Sequence, residues 1–190
     1  MIPLSKPMID DNDIKAVVDV LKSGWLIHGP KNEEFEKMLA EYIGTKHAIS
    51  MNSCASALHV ALMVNGIGPG DEVVVPSFTH TATANCVLTN GAKPVFADVD
   101  LDTFNIDLAD LRSKITDKTK AIIPVHFAGS SCDMNAVGKI VKDTGVVLVE
   151  DAAEACGADY KGRKVGSFGI GCFSFFPIKN FTTGEGGALT

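Results

Sequence analysis

Apolar positions along this 190-residue chain follow two spacings in turn, one typical of amphipathic helices and one typical of buried strands. Near the start they recur three and four positions apart, which predicts a helix from about Asp11 to Lys22 that ends at Gly24. A second helix is predicted after the stretch GPKN, and it ends at Gly44. Beyond Gly44, short apolar runs alternate with longer helical patterns.

These short runs predict strands at HAISM, DEVVVPS, KPVFADV, TKAIIPVHF, VVLVED and GCFSFF. The intervening stretches predict helices over SALHVALMVNG and about Thr81–Leu88, Leu108–Ile115 and Asp133–Thr144. Continuous β-branched runs that alternate with helices indicate a three-layer α/β fold, in which a mostly parallel sheet is covered by helices on both faces.

No repeat or linker divides the chain, so residues 1–190 are expected to form one domain or a piece of one. The sequence stops on GGALT, which starts a further strand without completing an element. We therefore expect the chain to be the N-terminal part of a longer protein.

Composition and charge restrict the classes of partner. The hydrophobic fraction of 46% is typical of a globular protein. The net charge of −6 argues against a nucleic-acid or anionic-membrane partner, since neither has a basic surface to bind. No apolar run approaches the roughly 20 residues of a membrane span, and the N-terminus lacks the pattern of a secretory signal. A cytoplasmic location is expected.

The five cysteines are widely scattered and form no CxxC pair. This pattern favours free thiols in a reducing compartment over a disulfide framework or a zinc site. The five histidines are equally dispersed, without the spacing of a metal-binding motif, so no metal site is expected.

Several polar residues lie where predicted strands end, which is where open α/β sheets build ligand sites. They are Ser53 and Ser56 after HAISM, His80 after VVVPSFT, His126 after IIPV, Asp151 after VVLVE and Lys179 after CFSFF. A lysine, an acid and hydroxyl residues before a buried helix suit pyridoxal phosphate (PLP). That cofactor needs an amine, an acid facing its pyridine nitrogen and a helix N-terminus for its phosphate.

Each of these residues also has an ordinary structural explanation. Asp151 could cap a turn, Ser56 could cap a helix, His80 could be a structural histidine and Lys179 could be a solvated charge. A dinucleotide-binding loop fits less well, because the glycines of GIGPGDEVVV precede a strand and those of GSFGIG miss the fingerprint spacing.

The order of the motifs separates these interpretations. The stretches SGWLIHGPKNEEFE, NSCASALHVAL, GDEVVVPSFTHTATAN, GAKPVFADVD, TKAIIPVHFAG, VEDAAEACGADYKGRKVGSFG and FSFFPIKNFTTGEGG occur in that order. Together they closely resemble the DegT/DnrJ/EryC1/StrS family, which are sugar aminotransferases of PLP fold type I. The resemblance covers nearly the whole chain, and it implies that residues 1–190 are an incomplete PLP-binding large domain whose small C-terminal domain lies outside the chain.

The resemblance implies roles for the polar residues. Lys179, in PIKN, matches the lysine that holds PLP covalently and later moves a proton to and from the substrate. Asp151, in EDAAEA, matches the acid paired with the pyridine nitrogen. Ser174 and the Ala55–Ser56 step match positions that bind the phosphate.

Two further positions follow from the resemblance, and two depart from the family pattern. His80 matches the position whose ring stacks on the cofactor, and Glu154 matches a residue that contacts the 3′-oxygen of PLP. The family commonly has Thr where this chain has Ala55, and often His or Gln where it has Glu154. Relatives with histidine in place of the lysine are dehydratases, so Lys179 favours a transaminase.

By this resemblance, the protein is an aminotransferase that moves an amino group from an amino acid, expected to be glutamate, to a nucleotide-linked keto-sugar. It serves cell-surface polysaccharide biosynthesis and is a homodimer when full length. The alternative that the residues leave open is a non-catalytic PLP or ligand sensor on the same fold.

Overall fold

The computed structural model describes residues 5–190. Its helices are α1 (Asp11–Ser23), α2 (Pro30–Ile43), α3 (Cys54–Val64), α4 (Thr81–Thr89), α5 (Leu108–Lys114) and α6 (Met134–Thr144). Its strands are β1 (Ile49–Met51), β2 (Glu72–Pro76), β3 (Lys93–Ala97), β4 (Thr119–Ile122), β5 (Val147–Asp151), β6 (Asp159–Tyr160), β7 (Arg163–Lys164), β8 (Ile170–Ser174) and β9 (Gly187–Leu189).

Seven of these strands form one sheet in the order β1-β9-β8-β5-β4-β2-β3. The pairs from β8 through to β3 are parallel, whereas β9 is antiparallel to both of its neighbours. The prediction of a mostly parallel α/β sheet is confirmed. Because β9 alone is reversed, its first residue lies at the edge where β1 and β8 end, and Gly187 pairs there with Met51 and Ser174.

The core is layered on both faces of the sheet, as alternation along the buried strands requires. Val73 and Val75 of β2 pack with α3 and α4, and Val74 between them packs with α5 and α6 on the other face. A third cluster places α2 against β8 through Leu39 and Phe173. The two faces together hold the strand ends in a fixed order.

Helix α1 is predicted correctly, but it buries none of its residues. Asp10 caps its start with a reciprocal hydrogen-bonded box, and Gly24, with φ of 73°, ends it in the left-handed conformation. Its apolar side chains Ile14, Val17 and Leu21 remain more than half exposed. Capping and spacing therefore fix this helix, and core packing does not.

Two local features differ from the sequence prediction. The stretch TKAIIPVHF forms a strand only as far as Ile122, and a single 3-10 turn follows at Phe127–Gly129. The short antiparallel pair β6 and β7 was not predicted, because two residues on each side of a turn give no readable periodicity. Among the helices of the described residues, none has the length and apolar character of a membrane span.

Candidate active site

A cavity of about 310 Å³ opens at the edge where β1, β2, β5 and β8 end. Its volume lies at the lower end of the range for small-molecule sites. It is lined by Ser53, Cys54, Ala55, Leu58, His80, Ala82, Thr83, Asp151, Ala153, Ser174, Phe176, Ile178, Lys179, Glu185 and Gly186. The structure thus brings five predicted site residues together: Ala55, His80, Asp151, Ser174 and Lys179.

The N-terminus of α3 forms one wall of this cavity. Ser53 caps the helix, and its Oγ accepts the Ser56 N–H at 3.1 Å. Within residues 5–190, the N–H groups of Cys54 and Ala55 have no acceptor and remain free to bind an anion. The Ser56 hydroxyl lies 3.1 Å from the Ser53 hydroxyl and outside the cavity lining, whereas Ser53 lines the cavity.

Glycine at position 187 lets β9 approach this wall. A Cβ there would lie 2.4 Å from the Ser53 carbonyl carbon and 2.6 Å from the Cys54 nitrogen. No side chain fits between the strand and the helix N-terminus. The start of β9 therefore packs against the backbone of Ser53 and Cys54 and keeps the free N–H groups at the cavity surface.

Asp151 lies at the base of the cavity with only 4% of its surface exposed. Its Oδ2 accepts the Thr83 hydroxyl at 2.8 Å, and its Oδ1 accepts the Ala153 N–H at 3.2 Å. Burial raises the pKa of this carboxyl, and the hydrogen bond from Thr83 only partly offsets that effect. Across residues 5–190, no cationic side chain forms an ion pair with it.

Lys179 enters the cavity from the loop between β8 and β9, and its side chain is 17% exposed. Its Nζ lies 3.2 Å from Oε1 of Glu154, whose other oxygen accepts the Ala128 N–H at 3.0 Å. Burial would raise the pKa of Glu154, but the Ala128 N–H and the Lys179 charge outweigh it and lower that pKa. Glu154 therefore lies at the margin of the cavity and contacts it through the lysine.

His80 caps α4 with its own ring. Its Nδ1 accepts the Ala82 N–H at 3.1 Å, which fixes the ring against the helix start and leaves the rest of the imidazole at the cavity. A histidine held in this way presents a flat surface with one further nitrogen. The ring therefore caps α4 and lines the cavity in one conformation, and its stacking on the cofactor stays a prediction.

His126 is the strand-end residue that the structure places elsewhere. It is fully buried beneath the cavity edge, where its Nε2 lies 3.2 Å from Glu150. Thr83 and Glu150 were not identified from the sequence as site residues. A signal for Thr83 was present, because it lies in the first turn of the helix that His80 caps.

The described residues fit pyridoxal phosphate. The free N–H groups at the α3 N-terminus suit its phosphate, with the Ser53 and Ser174 hydroxyls beside them. Asp151 is a buried acid that lacks a cation, and a protonated pyridine nitrogen would provide one. Lys179 is the amine of the cavity. These three features match the three polar parts of the cofactor.

Comparisons with known proteins agree with this chemistry. Residues 7–190 match the DegT/DnrJ/EryC1/StrS aminotransferase family. Over all of its residues the chain is 48% identical to the spore coat polysaccharide biosynthesis protein SpsC of Bacillus subtilis (strain 168). It is 47% identical over 189 residues to the UDP-4-amino-4-deoxy-L-arabinose–oxoglutarate aminotransferase of Shewanella sediminis (strain HAW-EB3). In both cases the chain spans 49% of the relative's length.

Among solved structures, the PLP form of Spr1654 from Streptococcus pneumoniae superposes on the whole chain with a TM-score of 0.97 and 41% identity. The chain covers 52% of that protein.

Proposed function

The chain belongs to the DegT/DnrJ/EryC1/StrS aminotransferase family, and we propose that it contributes the cofactor-binding large domain of a PLP-dependent sugar aminotransferase. The observation that carries the proposal is the convergence of Asp151, Lys179 and the free N–H groups of α3 on one cavity. An acid, an amine and an anion site are the three protein groups that this cofactor requires.

When bound, pyridoxal phosphate supplies an electron-withdrawing ring that carries the amino group between two substrates. The chain's own residues hold it and move protons. The N–H groups of Cys54 and Ala55, with the Ser53 and Ser174 hydroxyls, bind the phosphate. Asp151 keeps a proton on the ring nitrogen, because an adjacent negative charge favours the cationic form of that nitrogen.

Lys179 holds the cofactor and transfers a proton at its Nζ. Its partner Glu154, 3.2 Å away, is placed to accept a hydrogen bond from that amine and to stabilise its charged form. His80, whose orientation is fixed by the Ala82 N–H, would contact the cofactor ring from the side of α4. Apolar Ile178 and Phe176 line the same cavity beside the lysine.

For substrates, the proposal names glutamate as amino donor and a nucleotide-linked keto-sugar as acceptor. The support is the Shewanella relative, whose name gives a UDP-linked amino sugar and oxoglutarate. The Bacillus relative's name supports a place in polysaccharide biosynthesis. A cytoplasmic homodimer completes the proposal, because fold-type-I enzymes build each site from two subunits.

The test is a pair of half-reactions on the full-length protein, to which this chain contributes the large domain, loaded with PLP. Glutamate should convert the cofactor to its amine form and yield 2-oxoglutarate, and a UDP-, GDP- or dTDP-linked keto-sugar should return it. Protein that binds PLP yet transfers no amino group to or from any of these compounds would contradict the proposal and favour the sensor alternative. Sedimentation at micromolar concentration tests the dimer.

A further inference from the structure

Glu150 is the residue before Asp151 in β5, and its carboxylate is fully buried on the opposite face of the sheet. It contacts a turn rather than a cation there. Its Oε1 accepts the N–H groups of Phe168 and Gly169 at 2.7 Å each, and its Oε2 accepts the Gly166 N–H at 2.8 Å. Three backbone N–H donors of one turn therefore converge on this single carboxylate.

The fourth partner of this carboxylate is the ring of His126. The Nδ1 of His126 accepts the Cys132 N–H at 3.1 Å, so the ring hydrogen lies on Nε2, which donates to Glu150 across 3.2 Å. The backbone of His126 also contacts β5, because its N–H donates to the Asp151 carbonyl oxygen at 3.1 Å. The Asp151 N–H in turn donates to Pro124 at 3.0 Å.

The turn held by Glu150, residues 166–169, leads directly into β8. The backbone of this turn packs directly against β8, since a Cβ at Gly171 would be 2.5 Å from the Cα of Gly166. Strand β8 ends at Ser174, and the loop that follows it carries Lys179. One carboxylate therefore ties together the chain after β4, strand β5 itself and the entry to β8.

We infer that Glu150, acting with His126, is a positioning residue that sets the spacing between Asp151 and Lys179. Its side chain does not line the cavity. It fixes β5 and β8 relative to each other from the face opposite the cavity, so that the acid and the amine lie at a constant distance across the bound cofactor. This inference rests on the proposed function, since it assigns the clamp a role in holding PLP.

The first test is Glu150→Gln in the PLP-loaded protein. A glutamine amide brings N–H donors against N–H donors on one side of the clamp, which removes hydrogen bonds and adds repulsion. We expect PLP affinity to fall about ten-fold, as is common for a group that orients a ligand-binding residue. The pH midpoint of the cofactor's visible absorbance should also move by about half a pH unit or more, because the charge of Asp151 shifts relative to the ring.

Glu72→Gln is the matched control. Glu72 is also a buried carboxylate of this sheet, bound to Lys93 and Thr116, but it starts β2 at the edge away from the cavity. The Glu72→Gln substitution should lower the melting temperature and leave the PLP affinity and the pH midpoint of the absorbance unchanged. Equal PLP affinity and an equal midpoint in Glu150→Gln and Glu72→Gln would show that Glu150 is only structural, and would overturn the inference.

Two variants of His126 test the same clamp should Glu150→Gln fail to fold. His126→Asn retains an acceptor for the Cys132 N–H but has no donor that reaches Glu150, whereas His126→Gln retains a donor toward Glu150. We expect the absorbance midpoint to move in the asparagine variant and to stay nearer the wild-type value in the glutamine variant. The reverse order, or no difference, would overturn the inference.

The outcomes separate this inference from the proposed function. Wild-type protein that shows no visible PLP absorbance contradicts the proposed function and the inference together. If wild-type protein shows normal absorbance and Glu150→Gln has the same PLP affinity and the same pH midpoint as wild type, only the positioning role is contradicted.

Discussion

The amine of Lys179 and the carboxylate of Glu154 form an ion pair at the margin of the cavity, with Nζ and Oε1 3.2 Å apart. The lysine is largely buried and the glutamate is nearly half exposed. The charge of the lysine therefore has a defined partner before any substrate arrives, and the pair links the loop after β5 to the loop after β8.

This pair predicts how acid affects the protein. The pKa of Glu154 is lower in the folded state than in the unfolded chain, so its ionised form stabilises the fold above the ordinary glutamate pKa of about 4.3. That stabilisation is lost as the pH falls through the lowered value. As the pH falls from 6 to 3, the free energy of unfolding measured in urea should decrease less for Glu154→Gln than for wild type. Glu34→Gln, in the exposed pair with Lys31, should follow wild type.

Covalent labelling tests Lys179. Reduction of the PLP-loaded protein with borohydride, followed by peptide mapping, should place the label on Lys179, because it is the amine that lines the cavity. Lys179→Ala should lose both the label and the visible absorbance. A label on Lys161, Lys164 or another lysine would refute the assignment.

Asp151→Asn should have opposite effects on the cofactor-free and cofactor-bound protein. Burial raises the pKa of Asp151 in the folded state, so the ionised carboxyl costs stability, and that cost grows as the pH rises above its unfolded value. Without a charge, asparagine can accept the Ala153 N–H through Oδ1 and donate from Nδ2 to the Thr83 hydroxyl oxygen. The cofactor-free variant should melt higher than wild type at pH 7, whereas transamination should fall by orders of magnitude. Near-normal turnover would reduce Asp151 to a structural role.

The phosphate site proposed at the N-terminus of α3 predicts a graded loss of PLP affinity. Ser53→Ala, Ser56→Ala and Ser174→Ala should each weaken PLP binding, and the residues that line the cavity, Ser53 and Ser174, should show losses of about 1–3 kcal/mol each. Ser56→Ala should lose less, because its hydroxyl is turned to Ser53. PLP titration of the cofactor-free protein measures this series.

A control is needed because Ser53→Ala also removes a helix cap. Asp133→Ala removes the N-cap of α6, because the Asp133 side chain accepts the Asn135 and Ala136 N–H groups. It should lower stability by about 1 kcal/mol and leave PLP affinity unchanged. Equal affinities for Ser53→Ala and Asp133→Ala would argue against the phosphate site.

Gly187→Ala should damage the same wall by steric means. The added methyl group would meet backbone atoms of Ser53 and Cys54 at 2.4–2.7 Å, so the strand or the loop must move. We expect a loss of about 1–3 kcal/mol in unfolding free energy together with weaker PLP binding. Gly138→Ala is the control, since it adds the same methyl group in α6 with no heavy atom within 4 Å, and it should be neutral or stabilising.

Much of the fold could be predicted from the sequence, because its strands are continuous apolar runs and its helices are bounded by glycines such as Gly24 and Gly44. The strand end at Asp151 followed directly from its run, whereas GCFSFF predicts a strand as far as Phe176 and β8 ends at Ser174. Lys179 lies in the loop after β8, as predicted. The reversal of β9 could not be predicted, since GGALT gives the length of a strand but not its direction.

The contacts of the site were less accessible to sequence reasoning. Strand ends locate an edge, but the direction of a side chain there depends on the backbone after the strand, and Pro124 ends β4 early and turns His126 into the interior. Glu154 reaches Lys179 only through the fold of the loop after β5. The roles proposed for the site residues, among them Ala55, Ser56, His80 and Glu154, stay predictions.

The pairing of β1 with β9 joins Ile49, in the strand after α2, to Leu189, at the end of the described chain. The N-terminus of α3 acquires its support from Gly187 only when this pairing is complete. Closing so long a loop is entropically slow, and proteins dominated by such distant contacts fold more slowly than those built from local ones. The anion site is therefore among the last parts of the molecule to form, and during synthesis on the ribosome it cannot exist until the final residues of this segment have emerged.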